Sequence, residues 1–454
     1  MKHAHRPLLA TLAIASLVVT GAVVVAPATP APASAAVGDA ETFAVTDSVQ
    51  GGASSPFLTA DAQRVVFTSG ASDLVPGETN GEPDVFLATA VQGSDDPFSA
   101  APVLVSAPDG PVGAVRADGR SDDAVSSMNG RYVAFTSDAT NLVDGVTPRG
   151  LTHVYVRDTV ANTTVRLQAS ELPDGDSRDP DMSDDGRYVV FTSAADNFDT
   201  IDANGAEDVY VADLDANGDG VHGDMEIDKV YPDRNIVSGT RDGVISGNGY
   251  IVAFRTRGDP ADPLVQTALD SLFWTNLTYD RQGVVGLDVI SPPSIDVTGK
   301  AFAYVRSRAC NIGFGDTESP AVVAAMYSVQ SPFTVSVGTF GTDRRAGVDS
   351  APVISPDGST VAWSTTVPIA EWSSETPPPP PLERPVIRTE KISWIDAETG
   401  GTVVGCNGTP GERTDHGPGS SPSLSATGRT LAFQSGTRID AIDTHANDGI
   451  SVSS

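Results

Sequence analysis

Short apolar strands separated by tight polar turns recur along this chain every 50 to 70 residues or so, which is the spacing of a repeat architecture. The clearest copy is 183–191, Ser-Asp-Asp-Gly-Arg-Tyr-Val-Val-Phe, in which an Asp-Gly turn leads into β-branched and aromatic residues. One such unit cannot bury its own apolar face, so the repeats must pack against one another. Seven copies align on the aromatic residue that ends the apolar run: Phe67, Phe135, Phe191, Phe254, Tyr304, Trp363 and Phe433.

Each repeat predicts a four-stranded antiparallel sheet. A short apolar strand precedes the turn, and Asp-Gly or Asn-Gly accommodates the positive φ angles of a tight hairpin. The second strand is rich in β-branched and aromatic residues, as at 131–135. The third is marked by segments such as 84–87, 153–156 and 208–211, and the fourth by segments such as 164–167. We therefore predict an all-β fold, a β-propeller of seven blades with four antiparallel strands each.

The two ends of the repeat region predict how the ring closes. The seventh repeat runs out after its third strand, at 449–452, while a spare strand, 42–46, precedes the first repeat. If this N-terminal strand completes the seventh blade, no strand edge is left unpaired between the first and last blades. The alternative is six blades with a degenerate insertion, because the fourth and fifth repeats match the pattern least well.

Residues 1–36 predict a signal peptide, and 37–454 a single propeller domain. A basic start, an apolar run at 8–26 and the small residues Ala-Ser-Ala at 33–35 are typical of a cleaved export signal. The apolar run is long enough to leave an uncleaved membrane anchor as the alternative. We expect a secreted, extracellular protein, with cell-envelope association as a variant, and no membrane contact after cleavage.

Charge and composition limit the classes of partner that this chain is expected to bind. The chain carries 59 acidic and 28 basic side chains, for a net charge of −31. So acidic a surface repels phosphate backbones, which argues against nucleic acid as a partner, and it favours solubility or divalent-cation binding. Lysine supplies four of the 28 basic residues, and Ala, Gly and Val abound. This bias indicates a GC-rich, actinobacterial source.

Two cysteines, Cys310 and Cys406, complete the compositional picture. An even number of cysteines in an exported chain favours one disulfide. Two buried free thiols are the alternative, and the sequence leaves the choice open.

The turn-and-strand motif resembles the TolB-like propeller repeat. The match is best in the first three repeats and the sixth, through Ser-x-Asp-Gly and a short apolar run ending in Phe or Trp, as at 183–191 and 355–363. The segments Ala-Thr-Asn-Leu-Val at 139–143 and Ala-Ser-Asp-Leu-Val at 71–75 add to the resemblance, which spans roughly residues 42–454. The family it resembles includes periplasmic interaction proteins and propellers appended to peptidases, so the resemblance implies a fold and no single activity.

The strongest local chemical signal is the Asp-rich segment 213–224. Calcium takes six to eight hard oxygen ligands, and alternate positions of a tightly wound loop direct such ligands inward. With Gly218 at position 6 and Glu226 nearby, the segment reproduces the spacing of an EF-hand calcium loop, here between two strands. The alternative is a turn that binds nothing. The predicted calcium ligands occupy positions 1, 3, 5, 7 and 12: Asp213, Asp215, Asn217, Asp219 and Asp224.

A second recurrence places an acidic residue at the start of the third strand, at Asp84 and Asp208. These residues could form a ring of weak cation sites, or they could accept backbone hydrogen bonds at the strand entry. The structural interpretation is favoured, because His153 stands at the matching position of the second repeat.

Catalytic motifs are sparse. There is no Gly-x-Ser-x-Gly nucleophile elbow, and no pair of histidines in the predicted mature chain has the i, i+4 metal spacing. We therefore favour a non-enzymatic, calcium-stabilised, monomeric binding module whose partner is a protein or a cell-surface glycan. The alternative is a carbohydrate-active hydrolase or lyase in which carboxylates line the channel. Whether the chain is an enzyme stays open at this point.

Overall fold

A computed structural model provides the structure of this chain. The described residues belong to one compact unit, Ala40–Ser454. The predicted signal peptide, Cys310 and Cys406 lie outside them, so export and the disulfide stay predictions. The described residues are 42–46, 52–75, 81–110, 115–145, 147, 149–198, 205–230, 239–257, 270–279, 281–287, 289–306, 321–328, 331–338, 351–368, 383–391, 413–418, 420–435 and 449–453.

The described residues form 28 strands in seven four-stranded antiparallel sheets. The first strands are β2 (Ala53–Leu58), β6 (Ser121–Ser126), β10 (Ser177–Met182), β14 (Thr240–Ile245), β18 (Ser294–Ile295), β22 (Val353–Ile354) and β26 (Ser420–Leu424). The second strands are β3 (Arg64–Ser69), β7 (Tyr132–Ser137), β11 (Tyr188–Ser193), β15 (Ile251–Arg257), β19 (Ala301–Arg306), β23 (Thr360–Pro368) and β27 (Leu431–Ser435). The third strands are β4 (Asp84–Thr89), β8 (His153–Asp158), β12 (Asp208–Asp213), β16 (Asp270–Asn276), β20 (Ala321–Ser328), β24 (Glu383–Lys391) and β28 (Gly449–Ser453). The fourth strands are β5 (Val103–Leu104), β9 (Thr163–Arg166), β13 (Glu226–Lys229), β17 (Arg281–Leu287), β21 (Ser331–Gly338), β25 (Arg413–Pro418) and β1 (Thr42–Ala44).

Strand order identifies the fold as a β-propeller. In six sheets the four strands pair in chain order, and in the seventh the order is β26, β27, β28 and β1. The N-terminal strand therefore completes the last sheet, with Phe43 opposite Val452, as the spare strand in the sequence predicts. The first strands of neighbouring sheets contact one another from β2 round to β26 and back to β2, and so form the inner wall of the ring.

The apolar core lies between neighbouring sheets. Successive residues of a second strand point to opposite faces, so Val65 and Phe67 pack toward the seventh sheet while Val66 packs toward the second. All three are fully buried. Because both faces of a sheet are covered, the second strands read as continuous apolar runs and not as alternating ones.

Turns of neighbouring sheets are joined by main-chain hydrogen bonds. These bonds connect six of the seven neighbouring pairs of sheets among the described residues, at 2.8 to 3.0 Å. The bond between the seventh and first sheets closes the ring. The donors and acceptors are Met128 N to Asp184 O, Asp184 N to Gly247 O, Asn248 N to Val297 O, Val297 N to Pro356 O, Asp357 N to Ala426 O, and Ala426 N to Ala60 O.

The sixth sheet differs from the sequence-based expectation. The segment Ile-Ser-Trp-Ile at 392–395 has the apolar pattern that predicts a third strand, but it lies outside the described residues, whereas β24 at 383–391 pairs with β23. Asp415 and His416 lie in β25, the fourth strand of this sheet. β23 ends at Pro368 and β24 spans Glu383–Lys391, so the observed pairing precedes the segment 392–395 in the chain.

The turn glycines permit close approach between sheets. Gly186 has a φ of +79°, and a Cβ added to it would lie 2.4 Å from Cδ2 of Tyr132 in the second sheet. A Cβ added to Gly249 would likewise lie 2.8 Å from Cδ2 of Tyr188. Gly81 has a similar φ of +74°, but nothing lies within 4 Å of its Cβ position.

We expect Gly186→Ala to lower the free energy of unfolding by about 2 to 4 kcal/mol, because it adds a collision with Tyr132 to left-handed backbone strain. Gly81→Ala is the matched control and should cost about 1 to 2 kcal/mol, from strain alone. Urea unfolding of both variants measures the difference. Equal losses would show that contact between the turns does not stabilise the ring.

Candidate functional site

The inner wall carries a repeated backbone irregularity that presents polar side chains. In five first strands the register shifts at a bulge, and the residue within it has positive φ although it is not glycine. Such a conformation costs about 1 to 2 kcal/mol for an L-residue, so it marks a place where the backbone is held by its surroundings. The five residues, with φ between 50° and 53°, are Ser55, Asp123, Asp179, Asp242 and Ser421.

Three of these residues are aspartates in consecutive sheets, and two of them are held by arginine. In β10, Arg178 pairs with Asp179 and also with Glu207, which precedes the third strand of the same sheet. The side chains of all three are roughly one-third exposed or more, so the pairs face solvent. One guanidinium group thus bridges two carboxylates, and the three side chains together keep one net negative charge at the surface of the inner wall.

The fourth sheet repeats this arrangement with two arginines. Arg255 Nε lies 2.8 Å from Asp242 Oδ2, and its Nη2 lies 3.4 Å from Asp270 Oδ2. Arg241 pairs with Asp270 and lies 3.8 Å from Asp242 Oδ2. Arg255 is 8% exposed, and its Nη1 atom has no hydrogen-bond partner. Arg255 Nε and Asp242 Oδ2 also lack a hydrogen-bond partner although they lie 2.8 Å apart, so two buried donors of this network are left unsatisfied beside the inner wall.

Of the three aspartates at the bulges, Asp123 is the one that makes no direct ion pair with arginine or lysine among the described residues. Its neighbour Asp122 pairs with Arg120 at 2.6 Å and accepts a hydrogen bond from Thr136. Burial against the inner wall, followed by the nearby charges of Asp179 and Asp122, raises the pKa of Asp123 to about 6. The residue as a whole is nevertheless exposed to solvent.

We name this group of charged residues the inner-wall charge cluster. Its members are Asp122, Asp123, Arg178, Asp179, Glu207, Arg241, Asp242, Arg255 and Asp270. Carboxylates and guanidinium groups in one surface can bind a polar ligand through charge-assisted hydrogen bonds. The repeat motif and the chemical signals of the sequence did not predict this cluster. A signal existed, namely a charged pair at the same place in three consecutive first strands: Asp122-Asp123, Arg178-Asp179 and Arg241-Asp242.

The predicted calcium loop lies at the opposite end of the third sheet. The cluster residues of β10 lie near Ser193 and Asp208 in the register, whereas the loop joins the other ends of β12 and β13. Its first predicted ligand, Asp213, forms a bidentate pair with Arg187, at 2.8 Å to Nε and 2.7 Å to Nη2. Burial alone would raise the pKa of Asp213, but the hydrogen bonds from Arg187 and from Asp215 N lower it overall.

The other predicted ligands cap main-chain N–H groups of the loop. Asp215 Oδ2 accepts from Gly220 N at 3.0 Å, and Asp224 Oδ2 accepts from Asn217 N at 2.8 Å. Asn217 Oδ1 in turn accepts from Asp219 N at 2.8 Å. Asp215 is 7% exposed, and its second oxygen, Oδ1, has no hydrogen-bond partner. An unsatisfied buried carboxylate oxygen is what a cation would stabilise.

A ready-made metal cage is not present within the part of the chain that the structure describes. No three carboxylate, histidine or cysteine side chains there are grouped so that they could hold an ion. The loop itself is well anchored, since Asp215 and Asp224 form an isolated parallel bridge and His222 stacks on Tyr132 of the second sheet at 4.1 Å. Calcium binding at this loop therefore stays a prediction.

Asp84 and Asp208, which begin the third strands of the first and third sheets, have structural roles. Asp84 is fully buried and accepts a hydrogen bond from Ser106 Oγ at 2.6 Å. Asp208 accepts from Thr240 at the start of the next sheet and pairs with Lys229 Nζ at 2.6 Å. Both residues are engaged in bonds that join strands, in agreement with the structural interpretation.

No protein-family model matches the chain, and no curated protein matches it. Among solved structures, TolB from Acinetobacter baumannii is 15% identical with a TM-score of 0.36, and the alignment covers 63% of this chain and 54% of that one, about half its length. An oligogalacturonate lyase in complex with manganese is 10% identical (TM-score 0.49; 91% and 93% covered). The β-propeller domain of the Trilobed protease from Pyrococcus furiosus is 9% identical (TM-score 0.45; 85% and 91% covered).

TolB and other β-propeller proteins are thus among the structural neighbours of this chain, as its repeat motif predicts. The propeller class itself rests on the strand order and pairing described above. Among the described residues, no helix is long and apolar enough to cross a membrane.

Asp181, which lies next to the cluster in β10, accepts a main-chain hydrogen bond from the next sheet that serine hydroxyl groups accept elsewhere in the ring. Ile245 N of the next sheet donates to Asp181 Oδ2 at 2.7 Å. Burial of this carboxyl group raises the pKa of Asp181 to about 6. The equivalent bonds in other sheets are made to hydroxyl groups at 2.9 Å, from Leu58 N to Ser423 Oγ and from Ile354 N to Ser294 Oγ.

We expect Asp181→Ser to stabilise the protein at pH 7 but not at pH 4. The folded chain keeps the Asp181 proton up to about pH 6, whereas an unfolded Asp loses it near pH 4. Ionisation therefore opposes folding as the pH rises through this window, and removing it should raise the free energy of unfolding at pH 7 by up to about 3 kcal/mol.

Denaturant unfolding of wild type and Asp181→Ser between pH 4 and pH 7 measures this effect. Ser423→Ala is the control, because it removes the equivalent hydrogen bond without a titrating group and should cost about 1 kcal/mol at every pH. A difference between Asp181→Ser and wild type that does not change with pH would contradict the prediction.

Proposed function

We propose that this chain is a secreted, non-enzymatic β-propeller that binds a protein or a cell-surface glycan through the inner-wall charge cluster, and that calcium stabilises it. The observation that carries the binding role is the pairing of the cluster carboxylates with Arg178, Arg241 and Arg255. Acid–base hydrolysis of a glycoside needs two carboxylates free for proton transfer or attack. Because the cluster carboxylates are paired with arginine, they favour a site that binds a ligand over a site that catalyses a reaction of the ligand.

The cluster has the properties of a recognition surface. Arg178, Asp179 and Asp242 sit on first strands whose backbone is held by bulges and by bonds to neighbouring sheets, so little ordering cost is incurred on binding. The guanidinium groups of Arg178 and Arg241, with side chains 37% and 31% exposed, would donate to a hydroxyl, carbonyl or carboxylate oxygen of a ligand. Hydroxyl groups of Ser55 and Ser421 extend the polar wall into the first and seventh sheets.

The calcium role is supported by the loop between β12 and β13. Asp215 Oδ1 is buried and unsatisfied at the end of the sheet opposite the cluster. A cation there would stabilise the loop and its contact with the second sheet through His222 and Tyr132. The role is structural, because the loop is separated from the cluster by the length of the strands.

Binding is tested with the mature chain on an array of cell-wall and extracellular polysaccharides, followed by calorimetry on any glycan retained. Arg178→Gln and Arg241→Gln should weaken binding about tenfold or more, because each removes a charge-assisted donor. Arg131→Gln is the matched control at the opposite end of the ring, where Arg131 pairs with Asp158 on the surface. Equal losses in all three variants would refute a role for the cluster.

The alternative, a carbohydrate-active hydrolase or lyase, is supported by Asp123. A carboxyl group with a pKa of about 6 that lacks an arginine partner has the properties of a general acid. If glycan fragments are released from the array ligands, Asp123→Asn should abolish the release while Arg131→Gln leaves it intact. Binding without release in wild type favours the non-enzymatic proposal.

A further inference from the structure

The loop between β12 and β13 fits an EF-hand calcium pattern in a second register, displaced by two residues from the one that begins at Asp213. In this register Gly220 occupies position 6, and the final position holds Glu226, the residue type that binds calcium through both carboxylate oxygens. The register beginning at Asp213 ends instead on the shorter Asp224. The side chains at positions 1, 3, 5 and 12 of the displaced register are Asp215, Asn217, Asp219 and Glu226.

Asp213 is already engaged by other groups. Its Oδ1 accepts from Arg187 Nε at 2.8 Å and from Asp215 N at 3.0 Å, and its Oδ2 accepts from Arg187 Nη2 at 2.7 Å. A cation at Asp213 would have to displace a guanidinium group from a bidentate pair, which is among the stronger side-chain interactions. Asp213 therefore fixes the start of the loop and is poorly placed to serve as a first ligand.

Asp215 has the opposite character. It is 7% exposed, and its Oδ2 accepts from Gly220 N at 3.0 Å, which ties position 1 of the displaced register to position 6 and turns the carboxylate into the loop. Its Oδ1 has no partner. A buried carboxylate oxygen without a donor is costly unless a cation or donor completes it. This oxygen is independent evidence for a ligand, apart from the acidic character of the loop.

We propose that the loop binds one calcium ion through Asp215, Asn217, Asp219, the Val221 carbonyl and Glu226, and not through Asp213 or Asp224. The inference rests on the calcium role proposed above and specifies its ligands. Because no three acidic side chains among the described residues are grouped so that they could hold an ion, Glu226 must turn toward Asp215 on binding. Its side chain begins β13 and is exposed, so this movement meets no packing barrier.

Thermal melts and calorimetry of the mature chain, in EDTA and with calcium chloride, test the assignment. Wild type should melt several degrees higher in calcium and bind one ion. Asp215→Asn and Glu226→Gln should each weaken calcium binding by about tenfold or more, since each removes ligand charge from the site. Asp228→Asn, an acidic residue two positions further along β13, is the matched control and should keep the full calcium effect.

Asp213→Asn separates the two registers. Loss of the Arg187 pair should lower the melting temperature equally in EDTA and in calcium, and the calcium-induced rise should be retained. If Asp213→Asn and Asp224→Asn abolish the rise while Glu226→Gln keeps it, the register beginning at Asp213 is correct and this proposal fails. If wild type shows no calcium effect, the loop binds no calcium in either register, whereas ligand binding at the inner-wall charge cluster is measured separately and is unaffected.

Discussion

Main-chain hydrogen bonds between the turns of neighbouring sheets are the constraint on which this structure depends. Each sheet buries both faces against its neighbours, so no sheet is stable alone and all must be held at one spacing. The Asp-Gly and Asn-Gly turns set that spacing, since glycine at positive φ lets each turn rest on a side chain of the adjacent sheet. The bond from Ala426 N to Ala60 O extends the same contact across the closure of the ring.

This arrangement divides the two ends of the ring by role. At the turn end, contacts between sheets are tight, and the loop between β12 and β13 is tied to them through Arg187 and through the stack of His222 on Tyr132. At the other end, bulges in the first strands present ion-paired side chains to solvent. Residues for stability and residues for recognition are thus separated along the strands, so that a ligand can bind without disturbing the closure.

Much of the fold could be predicted from local patterns. The turn and the apolar second strand are adjacent in the chain, so 183–191 alone predicts a hairpin, and the spare strand at 42–46 predicts the closure with β28. The pairing of β24 in the sixth sheet could not be predicted, because 383–391 pairs with β23 over a distance in sequence that carries no local cue. Tertiary packing decides such a pairing.

The sequence by itself determined the repeat, its all-β class and an Asp-rich loop with calcium-like spacing, because each depends on residues that are neighbours in the chain. Only the tertiary structure decided how charges are shared. Arg178 pairs with Glu207, 29 residues further along the chain, and Arg187 pairs with Asp213, 26 residues further along. A carboxylate can be paired, can have a raised pKa like Asp123, or can be left unsatisfied like Asp215. The outcome depends on the groups that folding brings near it, because electrostatic interactions act through space and not along the chain.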